Sequence, residues 1–403
     1  MTRFTSRLIG PTLALASLAL CLIGLEIAAR VWVAARWTPA ELAAVTEPTG
    51  ERAGYVGDPR TGYRLQPGFA RVDAVGRRFT HSAAGFRGPD LRESAPESFI
   101  RILIAGASTV YGIWVDDAAT SSARLESRLS ADHPDREFEV LNLGVPGWTS
   151  RETVLRLEEG IESLVPDIVV LLDGRNEIFP QGFDGFRADY SHYRRLDWRI
   201  EAANLGWKRL FRASRLAMLL IHDPRGGVLG YSARDEDPVY GYVRYENRPR
   251  EASAVVTNLE AAVSSSTWRG NLERLIERSR GVGADVVLVE MPFRKEAYGS
   301  GVLPLDVYPE AAWEGVRDAL AQRVAANNLV SRELAGTDGV TYVEVDRLVD
   351  DAYLVDDCHF NEAGESELAA VLAEHMATDV LPGRRPRVTT RPSVGPTPRA
   401  GSP

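Results

Sequence analysis

The chain is poor in cysteine and almost devoid of lysine. Cys21 and Cys358 are the only cysteines in 403 residues, which excludes a disulfide scaffold and a cysteine-based zinc site. They are not expected to pair, because Cys21 lies in an apolar N-terminal run. Lys208 and Lys295 are the only lysines, so the cations are nearly all arginine, which we read as composition bias. There is no excess of positive charge: 47 Lys and Arg against 56 Asp and Glu leave a net charge of −9. An acidic chain argues against broad nucleic-acid binding, which needs a clustered cationic surface to neutralise phosphates. Phosphate-cradling signatures are missing as well. Gly106 to Gly112 lacks the GxGxxG spacing, and no GxxxxGK occurs. No internal repeat is present. Apolar residues at 44% and charged residues at 26% exclude a wholly disordered, collagen-like or polytopic membrane protein.

One long apolar run is present. Arg3 and Arg7 precede an uncharged stretch from Leu8 to Leu25; Glu26 interrupts it, Ile27–Ala29 continue it and Arg30 ends it. At about 1.5 Å per residue, Leu8–Ala29 as a helix covers about 33 Å, enough for a bilayer core of about 30 Å. The run exceeds the roughly 7–15 apolar residues of a cleaved signal peptide. Arg30, Trp32 and Arg36 after it suit an interfacial anchor. Residues 1–36 are therefore read as a single-pass signal anchor, with the bulk of the chain outside the cytoplasm. A cleaved peptide is the rival reading.

Residues 37–99 carry many turn formers and weak periodicity, as expected of an irregular juxtamembrane segment. From residue 100 the pattern changes. Apolar runs at Ile102–Ala105, Phe138–Leu143, Ile168–Leu172, Val286–Val289 and Thr341–Val345 read as strands. Helical stretches at Ala118–Leu129, Val154–Leu164, Asn271–Arg280, Ala312–Ala326 and Glu365–Met376 alternate with them. Thr149 and Glu152 have the spacing of a capping box, and Pro166 stops the helix that follows. Alternation of this kind predicts a parallel sheet covered on both faces. Residues 180–267 break the rhythm and read as an insertion, rich in Arg, Tyr and Trp. Its Tyr190, Tyr193, Arg194, Arg195, Trp198 and Trp207 suit sugar stacking or anion contact; a solvated, partly packed surface is the plainer account. Residues 383–403, dominated by Pro, Arg, Gly, Ser and Thr, read as a disordered tail.

Three of the expected strands end in polar or glycine-rich turns: Gly106-Ala107-Ser108-Thr109, Asn142-Leu143-Gly144-Val145-Pro146-Gly147 and Gly174-Arg175-Asn176-Glu177. Ligands of an open parallel sheet bind at the carboxyl ends of its strands. Topology thus delivers a serine, a glycine turn and an asparagine to one edge. Asp356 lies three residues before His359, close to the final helix, and can fold back onto the imidazole. These are the parts of an acyl-transfer site. Ser108 needs a base, His359 can serve as one, and Asp356 can hold its tautomer. The Ser108 and Gly144 N–H groups and the Asn176 amide are candidate oxyanion donors. Each part alone has a plainer account, as a helix cap, a turn glycine, a turn asparagine or a structural histidine. Cys358 reads as a small filler.

Those four blocks, in that order, resemble the SGNH (GDSL-type) hydrolases over roughly residues 100–380. The likeness is to the bacterial membrane-anchored branch, in which an N-terminal apolar helix precedes a segment like Gly85-Phe86-Arg87-Gly88. The resemblance implies a flavodoxin-like three-layer α/β/α sandwich, a Ser-His-Asp hydrolase acting on esters, and neither metal nor organic cofactor. Two positions depart from the family pattern. Gly-Asp-Ser reads Gly-Ala107-Ser here, with altered loop packing expected, and Asn-Asp reads Asn176-Glu177.

The resulting expectation is a serine esterase of the cell envelope, with residues 100–382 as the catalytic domain. Its substrate would be an acylated carbohydrate or lipid. An O-acyltransferase with the same site is one alternative. A non-catalytic envelope protein retaining the fold is another, although none of the five candidate residues has been lost. Nucleic acid is not an expected partner.

Overall fold

The computed structural model describes residues 2–36, 54–73, 75–92, 99–196, 214–216, 219, 222–223, 227–228, 243–261, 265–298, 308–337 and 339–382. The expected tail at 383–403, most of the apolar stretch Leu216–Ile221, and Trp198 and Trp207 lie outside them. The chain divides into two compact units, Met1–Tyr55 with Leu196–Tyr242, and Val56–Arg195 with Val243–Pro403.

The first unit holds helix α1 (Thr2–Arg36). Its stretch Thr12–Arg36 has a mean hydropathy of 2.1 and is long and apolar enough to cross a membrane, a test that a signal sequence also passes. Leucines along it, such as Leu13, Leu15 and Leu20, are exposed. The one acid of the run is satisfied within this unit. The Glu26 carboxylate accepts from Ser214 Oγ at 2.7 Å and from the Arg215 and Leu216 N–H groups at 2.9 Å.

Strand β1 (Tyr55–Asp58) begins at the last residue of the first unit's N-terminal segment, and the second unit continues with β2 (Gly62–Leu65), β3 (Ala70–Val72) and β4 (Arg78–Thr80). They form two separate two-stranded ribbons, so the segment expected to be irregular carries regular structure. The main sheet contains β5 (Phe99–Gly106), β6 (Glu137–Gly144), β7 (Ile168–Leu172), β8 (Asp285–Val289) and β9 (Val340–Val343). Its spatial order is β9-β8-β7-β5-β6, and every pairing is parallel. This is the flavodoxin-like order, with the topological switch between β5 and β7.

The strands alternate between two cores, as the period of two requires. Ile100, Ile102, Ile104, Ile168 and Val170 face one core; Leu103, Ala105, Val169 and Leu171 face the other. The first core is closed by helix α3 (Ser121–Asp132) and the C-terminal helix α9 (Glu362–His375); α2 (Ser108–Tyr111) is the short helix after β5. The second is closed by α4 (Ser150–Leu164) and α7 (Ser265–Gly281), where α5 (Ile178–Gly182) and α6 (Ala252–Ala261) come between them in the chain. Helix α8 (Trp313–Leu334) feeds both. The capping box closes: Glu152 Oε2 accepts from the Thr149 N–H at 2.9 Å and from its hydroxyl at 2.6 Å.

Candidate active site

Ser108 is the first residue of α2, directly beyond the C-terminal end of β5. The turn into α2 is as tight as backbone allows. A Cβ on Gly106 would lie 2.1 Å from the Leu172 carbonyl oxygen, and one on Gly144 would lie 2.2 Å from the Tyr111 nitrogen. Glycine at both positions therefore lets β5, β6 and β7 close around the start of α2. The first N–H of a helix has no intrahelical acceptor, which leaves the Ser108 N–H directed out of the turn.

His359 and Asp356 sit on the loop before α9. The Ser108 hydroxyl and His359 Nε2 are 2.7 Å apart. His359 Nδ1 lies 2.8 Å from Asp356 Oδ2 and 2.9 Å from Oδ1. Asp356 Oδ1 also accepts the Cys358 and His359 backbone N–H groups, at 3.1 and 2.9 Å. Burial would raise the Asp356 carboxyl, but its bonds to His359 and to these amides hold it well below the usual carboxylate range. The neighbouring Asp357 turns the other way, and its Oδ2 meets Arg175 Nε at 2.9 Å. The doubled aspartate is thereby divided between two partners.

Cys358 is buried, and burial pushes its thiol well above the ordinary value. One ligand atom each from Asp356, Cys358 and His359 falls within 4.8 Å of the others. That proximity follows from the imidazole–carboxylate pair and from Cys358 being the chain neighbour of His359.

Asn176 is buried, with its amide oriented by two neighbours. Nδ2 donates to the Trp148 carbonyl at 2.7 Å, and Oδ1 accepts from Arg175 Nη1 at 3.2 Å. An amide carries two N–H donors, and Trp148 takes one. The expected Gly144 donor needs correction. The Gly144 N–H already donates to Asn142 Oδ1 at 3.0 Å. Its glycine is required by the close approach to Tyr111, a steric reason. Three residues on, Gly147 is buried at φ +77°, and its N–H donates to no protein acceptor among the described residues. The Trp148 N–H bonds the Val145 carbonyl at 3.2 Å, so Pro146 and Gly147 hold the central positions of a turn with the Pro-Gly signature of type II. That signature was legible in the sequence, and it singles out Gly147.

Further residues lock these loops together. Asn142 Nδ2 donates to the Val110 carbonyl at 2.7 Å, joining the second loop to α2. Tyr63 Oη donates to the Pro146 carbonyl at 2.7 Å, and Trp148 Nε1 donates to the Tyr63 carbonyl at 3.1 Å. Glu177 is fully buried; it accepts the Ser150 N–H at 2.6 Å and the Tyr190 hydroxyl. Burial pushes its carboxyl up to about 7, against those hydrogen bonds. Asp173, buried close by, is raised well above the carboxylate range by burial and by Glu177. Tyr190 and Tyr193 are buried, and Arg194 Nη2 donates to the Gly147 carbonyl. Tyr190 and Arg194 therefore pack against the site loops, on the packed part of the expected surface.

A family model described as GDSL-like lipase/acylhydrolase matches residues 104–366. No match was found among curated proteins. Among solved structures, one match is an α/β hydrolase enzyme from the metagenome of Lake Arreo, Spain. It is 16% identical, with 71% of this chain and 97% of that chain covered and a TM-score of 0.38. A lipase/acylhydrolase from Enterococcus faecalis is 15% identical over 69% of this chain and 95% of that one, with a TM-score of 0.32. Axe2, an acetylxylan esterase from Geobacillus stearothermophilus, is 14% identical over 70% of this chain and 95% of that one, with a TM-score of 0.36.

Proposed function

The chain belongs to the GDSL-like lipase/acylhydrolase family and is an ester-hydrolysing serine hydrolase; on that premise we propose that Ser108, His359 and Asp356 form its catalytic triad. The observation carrying this reading is the 2.7 Å separation of Ser108 Oγ from His359 Nε2, with the opposite ring nitrogen 2.8 Å from Asp356.

In this mechanism Ser108 Oγ attacks the ester carbonyl carbon while His359 Nε2 takes its proton. Asp356, ionised throughout, stabilises the imidazolium through Nδ1. The carbonyl oxygen becomes an oxyanion and accepts from the Ser108 N–H, the Gly147 N–H and the second Asn176 N–H, with Gly147 in the place expected for Gly144. His359 returns the proton to the leaving alkoxide, and the acyl group stays on Ser108. Water then attacks the acyl-enzyme, with His359 again as base, and releases the acid.

We further propose that residues 1–36 tether the enzyme to a membrane, with the catalytic domain, residues 100–382, outside the cytoplasm. The substrate is then an acylated carbohydrate or lipid of the envelope. The test is acid release from a generic aryl acetate by wild type and Ser108→Ala. Loss of turnover in the variant is expected; equal rates would remove Ser108 as the nucleophile.

A further inference from the structure

We infer that Arg87, which precedes the family-matched stretch 104–366, is a positioning residue for Ser108. The inference rests on the reading of Ser108 as nucleophile. Helix α2 has four residues, and the bonds closing it are Tyr111 N–H to the Ala107 carbonyl and Gly112 N–H to the Ser108 carbonyl, both at 3.0 Å. One turn of helix does not sustain itself, because nucleation is unfavourable. Its trailing carbonyls also have no helical partner. Something outside the helix must fix it.

The Arg87 guanidinium does so from a side chain that is 1% exposed. Nη1 donates to the Tyr111 carbonyl at 2.6 Å and the Gly112 carbonyl at 2.5 Å. Nη2 donates to the Val115 carbonyl at 2.7 Å, and Nε to Asp117 Oδ1 at 3.0 Å. The rings of Phe79 and Tyr111 lie 4.6 and 4.5 Å from its central carbon. The backbone of the same residue donates to the Asn142 carbonyl at 3.1 Å, and Asn142 in turn holds the Val110 carbonyl. The Val110, Tyr111 and Gly112 carbonyls are thus held from outside, two of them by Arg87. His81 Nε2 adds a 2.9 Å bond with the Tyr111 hydroxyl.

A lysine cannot replace this fork. Its ammonium is a compact point charge without the planar donor array that meets three carbonyls and a carboxylate while stacked between rings. Ser108 stands at the opposite end of the same single turn. A shift of the carbonyl end therefore moves the hydroxyl relative to His359, and a displacement of about 1 Å costs about 100-fold in rate.

The test compares wild type, Ser108→Ala, Arg87→Lys and Arg87→Ala in aryl-ester hydrolysis below the melting temperature of each. Rates are normalised to the folded fraction read from circular dichroism. The expected result for Arg87→Lys is a kcat at least about tenfold lower with KM changed little. For Arg87→Ala the loss is larger, with partial recovery of kcat on addition of ethylguanidinium, which a purely structural loss would not show. A wild-type kcat in folded Arg87→Lys, alongside an inactive Ser108→Ala, overturns the inference and leaves the nucleophile intact. An active Ser108→Ala overturns the nucleophile itself. Should neither Arg87 variant fold, Asp117→Asn loosens the same fork; an unchanged kcat in that variant also overturns the inference.

Discussion

Arg175 and Asp357 form a buried ion pair, Nε to Oδ2 at 2.9 Å, that ties the loop of Asn176 to the loop of His359. Each partner is the chain neighbour of a proposed site residue. The guanidinium also lies over the rings of Phe179 and Tyr298, 4.8 and 5.2 Å from its central carbon. Removing one member of such a pair leaves the other charge buried and alone, at a cost of about 3–5 kcal/mol. Arg175→Ala is expected to lose stability on that scale in urea unfolding. A loss below about 1 kcal/mol would mean that the pair contributes little to joining the two loops.

Within the proposed triad the three residues are expected to act as one unit. Asp356→Asn should lower kcat by about 10³–10⁴-fold, because the imidazole loses its tautomer lock and its counter-charge. Ser108→Ala and His359→Ala should lower it at least as far, and the double variant no further than either alone. Additive losses across the double variant would show that the residues act independently.

Gly144 and Asn176 should separate by phenotype. Gly144→Ala forces a methyl group against the Tyr111 nitrogen, so it is expected to lose stability together with activity. Asn176→Ala should leave the fold standing and lower kcat by about 10²–10³-fold, the usual cost of one oxyanion donor. Thermal melts beside steady-state kinetics read both. A folded, fully active Gly144→Ala would contradict the close approach of β6 to α2.

The stability contributed by Glu177 and Glu365 should decline as pH rises from about 4.5 to 7. Glu177 and Glu365 are both fully buried, and burial pushes each carboxyl up from 4.5 to about 7. The folded state then binds protons that the unfolded state has released. Their contribution is complete below about pH 4.5 and is lost as pH climbs past 7. A shift of this size is worth roughly 3 kcal/mol per group. Glu177→Gln keeps an acceptor for the Ser150 N–H and has no charge to bury. Its unfolding free energy should be flatter than that of wild type between pH 5 and 8. Parallel curves for the two proteins would refute the assignment.

The five strands and the helices α4 and α7 were legible because each carries a long apolar stripe of one period, and Ile168–Leu172 matches to the residue. The sequence pattern ends helix α8 at Ala326, whereas the helix runs to Leu334. Polar residues hid the continuation, and their partners are tertiary. Asn327 Nδ2 donates to the Gly174 carbonyl at 3.0 Å, and the Asn328 side chain brackets the Met291 backbone. Helix α2 was missed because one turn has no period. The proposed triad residues could be read from order and spacing. For the proposed oxyanion glycine the Pro146-Gly147 turn signature was legible, but the engagement of the Gly144 N–H by Asn142 Oδ1 was not. The ribbons of residues 54–92 escaped notice because their short strands hold few apolar residues, and their contacts are with loops far along the chain.

The serine turn is seated by main chain against main chain, at Gly106 beneath the Leu172 carbonyl and at Gly144 beneath the Tyr111 nitrogen. A side chain at either glycine should therefore shift the proposed nucleophile itself, so the placement of its hydroxyl is inherited from the backbone of the strands around it.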